Sequence, residues 1–211
     1  APFITAVRDG YFGVTLVTQA PRQKRCWIPF DSIPDPLDSD AFVLEPLHPR
    51  HAELDFAALM SCRTRLRREL AWGHWPPEDF TLELNRIDLG QHYDEFAGGQ
   101  AFAYTVLSVD RSRCLGCIYL ERCDDVDGAQ LAFWVIDDVI EIETHLVTEV
   151  VRWIHDAWSI ERVLIPLRDS NSRGITITTS QNWSVWASDD SPTLSEHRCF
   201  LSREPQVSDQ S

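Results

Sequence analysis

The segment from Ala129 to Leu167 reads AQLAFWVIDDVIEIETHLVTEVVRWIHDAWSIERVLIPL, and its pattern decides the fold of the chain. The part up to Ile136 is rich enough in apolar and aromatic residues to predict a buried strand. Apolar residues then recur at steps of three and four, at Leu146, Val150, Trp153, Ile154 and Trp158. This recurrence predicts a helix with one apolar face, and we expect Thr144 to cap its start. Residues 162–167 predict a second buried strand, so the order indicates a crossover helix packed over two parallel strands.

Between the first strand and the helix lies an acidic segment, residues 137–143, with the sequence DDVIEIE. A helix N-terminus in this position often holds a phosphate, with help from glycines and a basic residue. The segment has no Gly, Lys or Arg, but it has four carboxylates, Asp137, Asp138, Glu141 and Glu143. Each would repel a nearby pyrophosphate by about 1 kcal/mol or more in a partly wet site. The sequence therefore argues against a simple anion site here.

Composition excludes several classes of partner. The 211 residues carry 33 acidic and 19 basic side chains, a formal net charge of −14, which disfavours binding to nucleic acid or to an anionic membrane. No run of about eighteen apolar residues predicts a transmembrane helix, and no signal peptide is visible at the start. The spacing of the six cysteines does not suggest a secreted disulfide scaffold. We therefore expect a cytoplasmic protein with free thiols.

Three regions are predicted along the chain. Residues 1–38 read as a small β appendage and linker, in which Tyr11–Thr18 and Arg25–Phe30 form a β-hairpin before a stretch rich in Pro and Asp. Residues 39–203 form the main domain, and residues 204–211 are expected to fray.

The main domain begins with a predicted strand, Phe42–Leu47, followed by one helix from about Pro49 to Leu70 that ends in four arginines. The arginines indicate either a solvated helix end or an anion site. A second helix starts at Asp79 or Thr81 and ends at Gly98 and Gly99. The remaining predicted elements are a strand hairpin over residues 101–108 and 114–122, the crossover unit, a weak helix and two short closing strands.

Several of these stretches together resemble the GNAT superfamily of acyl-CoA-dependent N-acyltransferases. FVLEPLHPRHAELDFAALM resembles the opening strand and helix of that family, AFAYTVLSVDRSRCLGCIYLE its central hairpin, and AQLAFWVIDD the strand that carries acyl-CoA. NSRGITITTSQNW is similar in spacing to the segment after the next strand. WPPEDFTLELNRIDLGQHYDEF adds a likeness to a divergent bacterial branch. The resemblance covers about residues 41–201 and implies an α+β fold with a mixed, twisted central sheet.

The resemblance implies transfer of an acyl group, most simply acetyl, from acyl-CoA to an amine of a small molecule or peptide. By the same resemblance, these residues are candidates for contact with acyl-CoA: Val135, Ile136, Val139, Ile140, Glu141, Ile142, Glu143, Thr144 and Asn171. The chain departs from the family at two places. The acidic segment stands where the family has a glycine-containing loop, so that loop is degenerate here, and no tyrosine follows Tyr119. Two functions therefore stay open, an N-acyltransferase and a GNAT-fold protein that has lost acyl-CoA and binds another ligand or protein.

Acyl transfer needs a group that takes a proton from the attacking amine. Glu121, at the end of a predicted strand, is the best-placed carboxylate, with exposure on the surface as its alternative explanation. His92 is the second candidate, and Asp94 and His74 are weaker ones.

Two other patterns have simpler explanations. Cys114 and Cys117 are spaced like half of a zinc site, but strand alternation sends them to opposite faces unless the backbone turns at Gly116. We therefore expect core cysteines and no metal. The aromatic residues Trp72, Trp75, Phe80 and Tyr93 indicate a binding pocket, a core edge or a homodimer contact.

Overall fold

The computed structural model describes residues 26–70, 75–187 and 197–203. Seven strands lie in these ranges: β1 (Val43–Pro46), β2 (Ala101–Leu107), β3 (Cys114–Cys123), β4 (Gly128–Val135), β5 (Arg162–Leu167), β6 (Ser184–Trp186) and β7 (Arg198–Arg203). The helices in the same ranges are α1 (Ala52–Ser61), α2 (Arg63–Glu69), α3 (Leu82–Ala97), α4 (Glu143–Trp158) and α5 (Ser172–Ser180). Short 3-10 helices cover Phe30–Ser32, Pro49–His51 and Asp137–Ile142.

All seven strands form one mixed sheet in the order β1-β2-β3-β4-β5-β7-β6. β4 and β5 are parallel, and the other named pairs are antiparallel. α4 connects the parallel pair, so the crossover unit predicted from the sequence is confirmed. The α+β class with a mixed central sheet is confirmed as well.

α4 packs its apolar face on the sheet because its large side chains repeat with the helical period. Trp153 lies 5.5 Å from Tyr104 of β2 and Trp158 lies 4.7 Å from Phe102, measured between ring centroids. Both tryptophans are buried. Burial of each apolar side chain of this size contributes about 1.5–3 kcal/mol, which holds the helix across the middle of the sheet.

α1 and α3 pack together and against strands β3 and β2. The Thr81 Oγ1 atom accepts a hydrogen bond from the Leu84 N–H and so caps α3. Thr81 is one of the two residues at which the sequence predicts that this helix starts. Past its end, Gly99 has a positive φ of 64°, and a Cβ there would lie 2.2 Å from the Ile28 carbonyl oxygen. Glycine is therefore needed where the chain leaves α3.

The expected single helix over residues 49–70 is wrong, because it breaks at Cys62. The Ser61 hydroxyl and the Cys62 thiol both donate to the Ala58 carbonyl oxygen, and the Cys62 N–H donates to Leu59 instead. In a continuous helix the Ala58 carbonyl would accept a hydrogen bond from the Cys62 N–H. Here the two side chains donate to it instead, which separates α1 from α2.

The expected cap at Thr144 is also wrong. α4 begins at Glu143, and its N-cap residue, Ile142, makes no side-chain capping bond. The preceding 3-10 helix runs directly into α4, so the Glu143 N–H donates to the Ile140 carbonyl oxygen instead of to a side chain. Thr144 lies inside the helix, where its carbonyl accepts a bond from the Thr148 hydroxyl.

The first strand of the expected N-terminal hairpin lies outside the described residues. The second is wrong in its described part, because residues 26–29 form a loop and Phe30 opens a 3-10 helix. The N–H groups of Trp27 and Ile28 both donate to the Gly99 carbonyl oxygen, which ties this stretch to the end of α3. The boundary at residue 38 stays a prediction, and residues 204–211 lie outside the described ranges. Among the described residues, no helix is both long and apolar enough to cross a membrane.

Candidate functional site

The two parallel strands of the sheet open a cleft between them. β4 and β5 are paired only at Ala129 with Val163 and at Gln130 with Leu164, and beyond these pairs they diverge toward their carboxyl ends. Part of the cleft is open to solvent, and the space in it that a water-sized molecule can reach is only about 20 Å³. It is lined by Glu69, Leu70, Gln130, Leu131, Ala132, Phe133, Ile165, Pro166, Leu167 and Asn171.

The sequence favours this divergence at Pro166. A proline lacks the backbone N–H that a central strand needs to donate to a neighbour. Pro166 still lies in register with Cys199 of β7, so β5 keeps its other neighbour while the side toward β4 opens. The backbone edge of β4 beyond Gln130 therefore has no ladder partner in β5.

Three polar residues line the cleft, Gln130 of β4, Asn171 and Glu69. Asn171 is buried and precedes α5, where its Oδ1 atom accepts a hydrogen bond from the Gly174 N–H at 2.9 Å. Glu69, the last residue of α2, is buried and pairs with Arg65 at 3.1 Å and with Arg68 at 2.6 Å. The sequence analysis missed Glu69, although the spacing of Arg65 and Glu69 is typical of a helical ion pair. Only the tertiary fold brings the end of α2 to the edge of β4.

Arginines from two other helices contact the acidic segment. The Arg65 Nε atom of α2 lies 2.5 Å from the Asp137 carboxylate, and the same guanidinium donates to the Val135 carbonyl oxygen. From α5, Arg173 donates to the Ile140 carbonyl oxygen at 3.0 Å and pairs with Glu143. The arginine-rich helix end is therefore partly an ion-pair site, since the Arg65 side chain is only 15% exposed.

Burial and charge act in opposite directions on Glu143. Removal from water raises the pKa of its carboxyl above the ordinary value, and Arg173 lowers that pKa by a smaller amount. A paired carboxylate and guanidinium at the start of α4 occupy the region where the helix dipole would favour an anion.

Eight of the nine residues predicted to contact acyl-CoA lie at the end of β4 or follow it directly in the chain. Val135 and Ile136 are buried, and Glu143 is buried at the start of α4. Val139, Ile140 and Ile142 are half-buried and pack against the core, whereas Glu141 and Thr144 are exposed. Of the nine predicted residues, Asn171 lines the cleft itself. The other eight lie at or beyond the carboxyl end of β4.

The two predicted proton acceptors belong to different elements, β3 and α3. Glu121 is half-buried on β3, in register with Gln130, so it lies one strand away from a residue that lines the cleft. His92 is buried on α3, where its ring is 5.4 Å from that of Tyr119 and 3.6 Å from the Glu95 carboxylate. His92 does not line the cleft.

Neither of the weaker candidates for proton acceptance lines the cleft in the described ranges. Asp94 is exposed on α3, and His74 lies outside the described residues, as does Trp72. Trp75 and Phe80 are half-buried against the core with their rings 5.9 Å apart, as expected for a core edge.

Comparison with solved structures finds the same architecture in several acetyltransferases. The ribosomal-protein-S5-alanine acetyltransferase of Vibrio fischeri matches with a TM-score of 0.64 and 12% identity, covering 81% of this chain and 97% of that one. The microcin C7 self-immunity acetyltransferase MccE, solved with acetyl-CoA and AMP, gives 0.66 and 11% identity over 79% and 94%. RimJ of Mycobacterium smegmatis, in complex with a CoA disulfide, gives 0.64 and 13% identity over 85% and 91%. No protein-family model matches the sequence, and no curated protein matches it either. At such low sequence identities, these structural matches show that the fold is shared.

Proposed function

We propose that this chain, which has the fold of the GNAT acetyltransferases, is an N-acyltransferase that moves an acyl group from acyl-CoA to an amine. The observation that carries the proposal is the cleft between β4 and β5. Its lining is mostly apolar, with polar groups from Glu69, Gln130 and Asn171. Apolar walls with a few polar groups match a narrow thioester that has amide groups along its length.

The free edge of β4 supports binding of such a donor. Backbone N–H and C=O groups that face β5 beyond Gln130 have no ladder partner there. An extended ligand with amide groups can pair with them as an added strand would. Ala132 leaves room in this wall because its side chain is small, and Asn171 offers an amide at the end of the cleft.

Acyl transfer forms a bond between the amine nitrogen and the acyl carbon and breaks the carbon–sulfur bond of the thioester. The amine loses a proton, and the departing thiolate gains one. We assign proton acceptance to a carboxylate beside the cleft, for which Glu121 and Glu69 are the two candidates. Glu69 lines the cleft but pairs with two arginines, and Glu121 lies one strand further away.

An assay of amine-dependent thiol release from acetyl-CoA tests this function. Peptides with free N-termini and small polyamines are offered as acceptors, and release is compared with a control that lacks amine. Loss of a general base lowers kcat by roughly 10²–10⁴-fold, so we expect either Glu69→Gln or Glu121→Gln to do so and to alter the pH profile. Glu161→Gln, at an exposed position before β5, is the matched control and should retain the rate.

A second function is favoured by the ion pairs of the acidic segment. Arg65, Arg113 and Arg173 are the cations that contact this segment in the described ranges, and each pairs with a carboxylate of the chain itself. If these pairs persist, no guanidinium there is left for a pyrophosphate, and the cleft would serve another ligand or a protein partner. Absence of thiol release with every acceptor, together with absence of acetyl-CoA binding, would favour this second function.

A further inference from the structure

A cluster of metal-binding side chains is buried between α1 and β3, outside the cleft. It consists of Asp55 from α1 and of Cys114 and Cys117 from β3, and all three residues are buried. One ligand atom from each residue lies within 4.8 Å of the other two. Asp55 is far from the two cysteines in the sequence, and Cys114 and Cys117 are three residues apart on one strand. The fold therefore has to bring their side chains together.

A β-bulge places both thiols on the same side of β3. The pairing with β2 passes from Val106 with Gly116 directly to Leu107 with Cys114, so that Leu115 is skipped. The extra residue reverses the alternation between Cys114 and Cys117. The sequence predicts opposite faces for the two cysteines unless the backbone turns at Gly116. The irregularity lies at Leu115 instead, and it brings both thiols to one side.

Asp55 is a carboxyl group at the bottom of the core, only 4% exposed. It accepts hydrogen bonds from the Asn85 side-chain amide at 2.9 Å and from the Cys117 thiol at 3.2 Å. No arginine or lysine in the described ranges forms an ion pair with it. Buried charged groups are normally paired with an opposite charge or bound to a metal. Asn85 is also buried, and its Oδ1 atom has no hydrogen-bond partner among the described residues.

The donor types indicate the class of metal. Two thiolates with a carboxylate form a set that suits zinc, whose thiolate bonds of about 2.3 Å place tetrahedral ligands roughly 4 Å apart. Zinc takes four ligands in a closed structural site.

We propose that Asp55, Cys114 and Cys117 supply three of the four ligands of a zinc-class divalent cation. Binding displaces the protons of the coordinating thiols and needs no oxidant or reductant. Asn85 orients the Asp55 carboxylate through its hydrogen bond, as outer partners of metal ligands commonly do. The site would join α1 to the middle of the sheet.

Metal analysis of the protein purified without chelators and without an affinity resin that carries metal tests this proposal. We expect one zinc per chain, and after exchange the absorption bands of tetrahedral Co²⁺ with thiolate ligands. Cys117→Ser and Asp55→Asn should lose the metal and the bands. Cys199→Ser is the matched control, because Cys199 is buried in a separate small cluster with Cys123.

Removal of zinc from the wild-type protein by a chelator gives a readout that does not depend on any variant. We expect the melting temperature to fall and to recover when zinc is restored. Wild-type protein that holds no zinc and takes up neither Zn²⁺ nor Co²⁺ would overturn the proposal. Equal retention of metal by folded Cys117→Ser and Cys114→Ser variants would overturn it as well.

Discussion

Asn171 combines a structural contact with a position in the cleft. Its Oδ1 atom caps α5 through the Gly174 N–H. Asn171→Ala removes the cap and should lower the free energy of unfolding by about 1 kcal/mol. Asn171→Ser keeps a capping oxygen and should cost much less stability. Chemical denaturation measures both changes.

The same pair of variants separates capping from ligand contact. If the side-chain amide of Asn171 contacts acyl-CoA, both variants bind acetyl-CoA more weakly than the wild type does. Unchanged affinity in both variants, measured by calorimetry, would remove Asn171 from the proposed acyl-CoA contacts.

Glu143 gives a prediction on pH at the residue scale. Burial raises its pKa above the ordinary value of 4.5, so the folded protein holds this proton more tightly than the unfolded chain does. Such a group stabilises the fold most below pH 4.5, and its contribution declines as the pH rises through the folded pKa. The stability of the wild type relative to Glu143→Gln should therefore fall across that interval. Denaturation at a series of pH values measures the difference, and a rise with pH would contradict it.

At the residue scale the sequence correctly marked the acidic segment as unusual but missed its partners. Arg65 and Arg173 lie 72 and 30 residues away from the carboxylates they contact, so no local pattern connects them. The role of Glu69 was missed for the same reason. Its ion pair with Arg65 is visible in the sequence, but its position at the cleft is not. Contacts between distant elements depend on packing, which periodicity alone does not give.

At the scale of elements, β3 depends on a close approach at Gly116. A Cβ atom there would lie 1.9 Å from the Trp134 carbonyl oxygen of β4, a backbone atom that cannot move freely. Gly116→Ala should therefore destabilise the protein by about 1–3 kcal/mol. Gly90→Ala is the matched control, since its Cβ would have only an ordinary contact 3.9 Å from the Pro49 ring.

The two glycine variants should differ in sign. Gly90 lies within α3, where alanine is favoured over glycine by about 1 kcal/mol, so this variant should be as stable as the wild type or more stable. Denaturation curves of both variants provide the comparison. A Gly116→Ala variant with wild-type stability would show that β3 and β4 can separate without cost.

Most elements were predictable because their patterns are local. The mostly apolar run of β2, the helical period of α4 and the Thr81 cap of α3 all appear in the sequence within a few residues. The errors fall at element boundaries. The break at Cys62 depends on which donor takes the Ala58 carbonyl, and the start of α4 depends on a 3-10 helix that leads into it. Propensity and spacing do not decide between such competing hydrogen bonds.

At the scale of the whole molecule, the crossover segment was enough to place β4 beside β5 and α4 across them. The class of fold followed from the order of all the elements and from the family resemblance, and the structural matches with acetyltransferases agree. The cleft itself was less predictable. Pro166 is a visible sign that β5 lacks a donor, but the divergence depends on how α2 and α5 pack against the strand ends.

The central claim is that acyl-CoA binds between β4 and β5, and calorimetric titration with acetyl-CoA tests it most directly. Ala132→Leu fills the wall of the cleft, and Ala97→Leu places the same side chain at an exposed position on α3. We predict micromolar affinity for the wild type and for Ala97→Leu, and at least about tenfold weaker binding, or ~1.4 kcal/mol, for Ala132→Leu. Absence of binding to the wild type at millimolar acetyl-CoA, or equal affinity in Ala132→Leu, would contradict the claim.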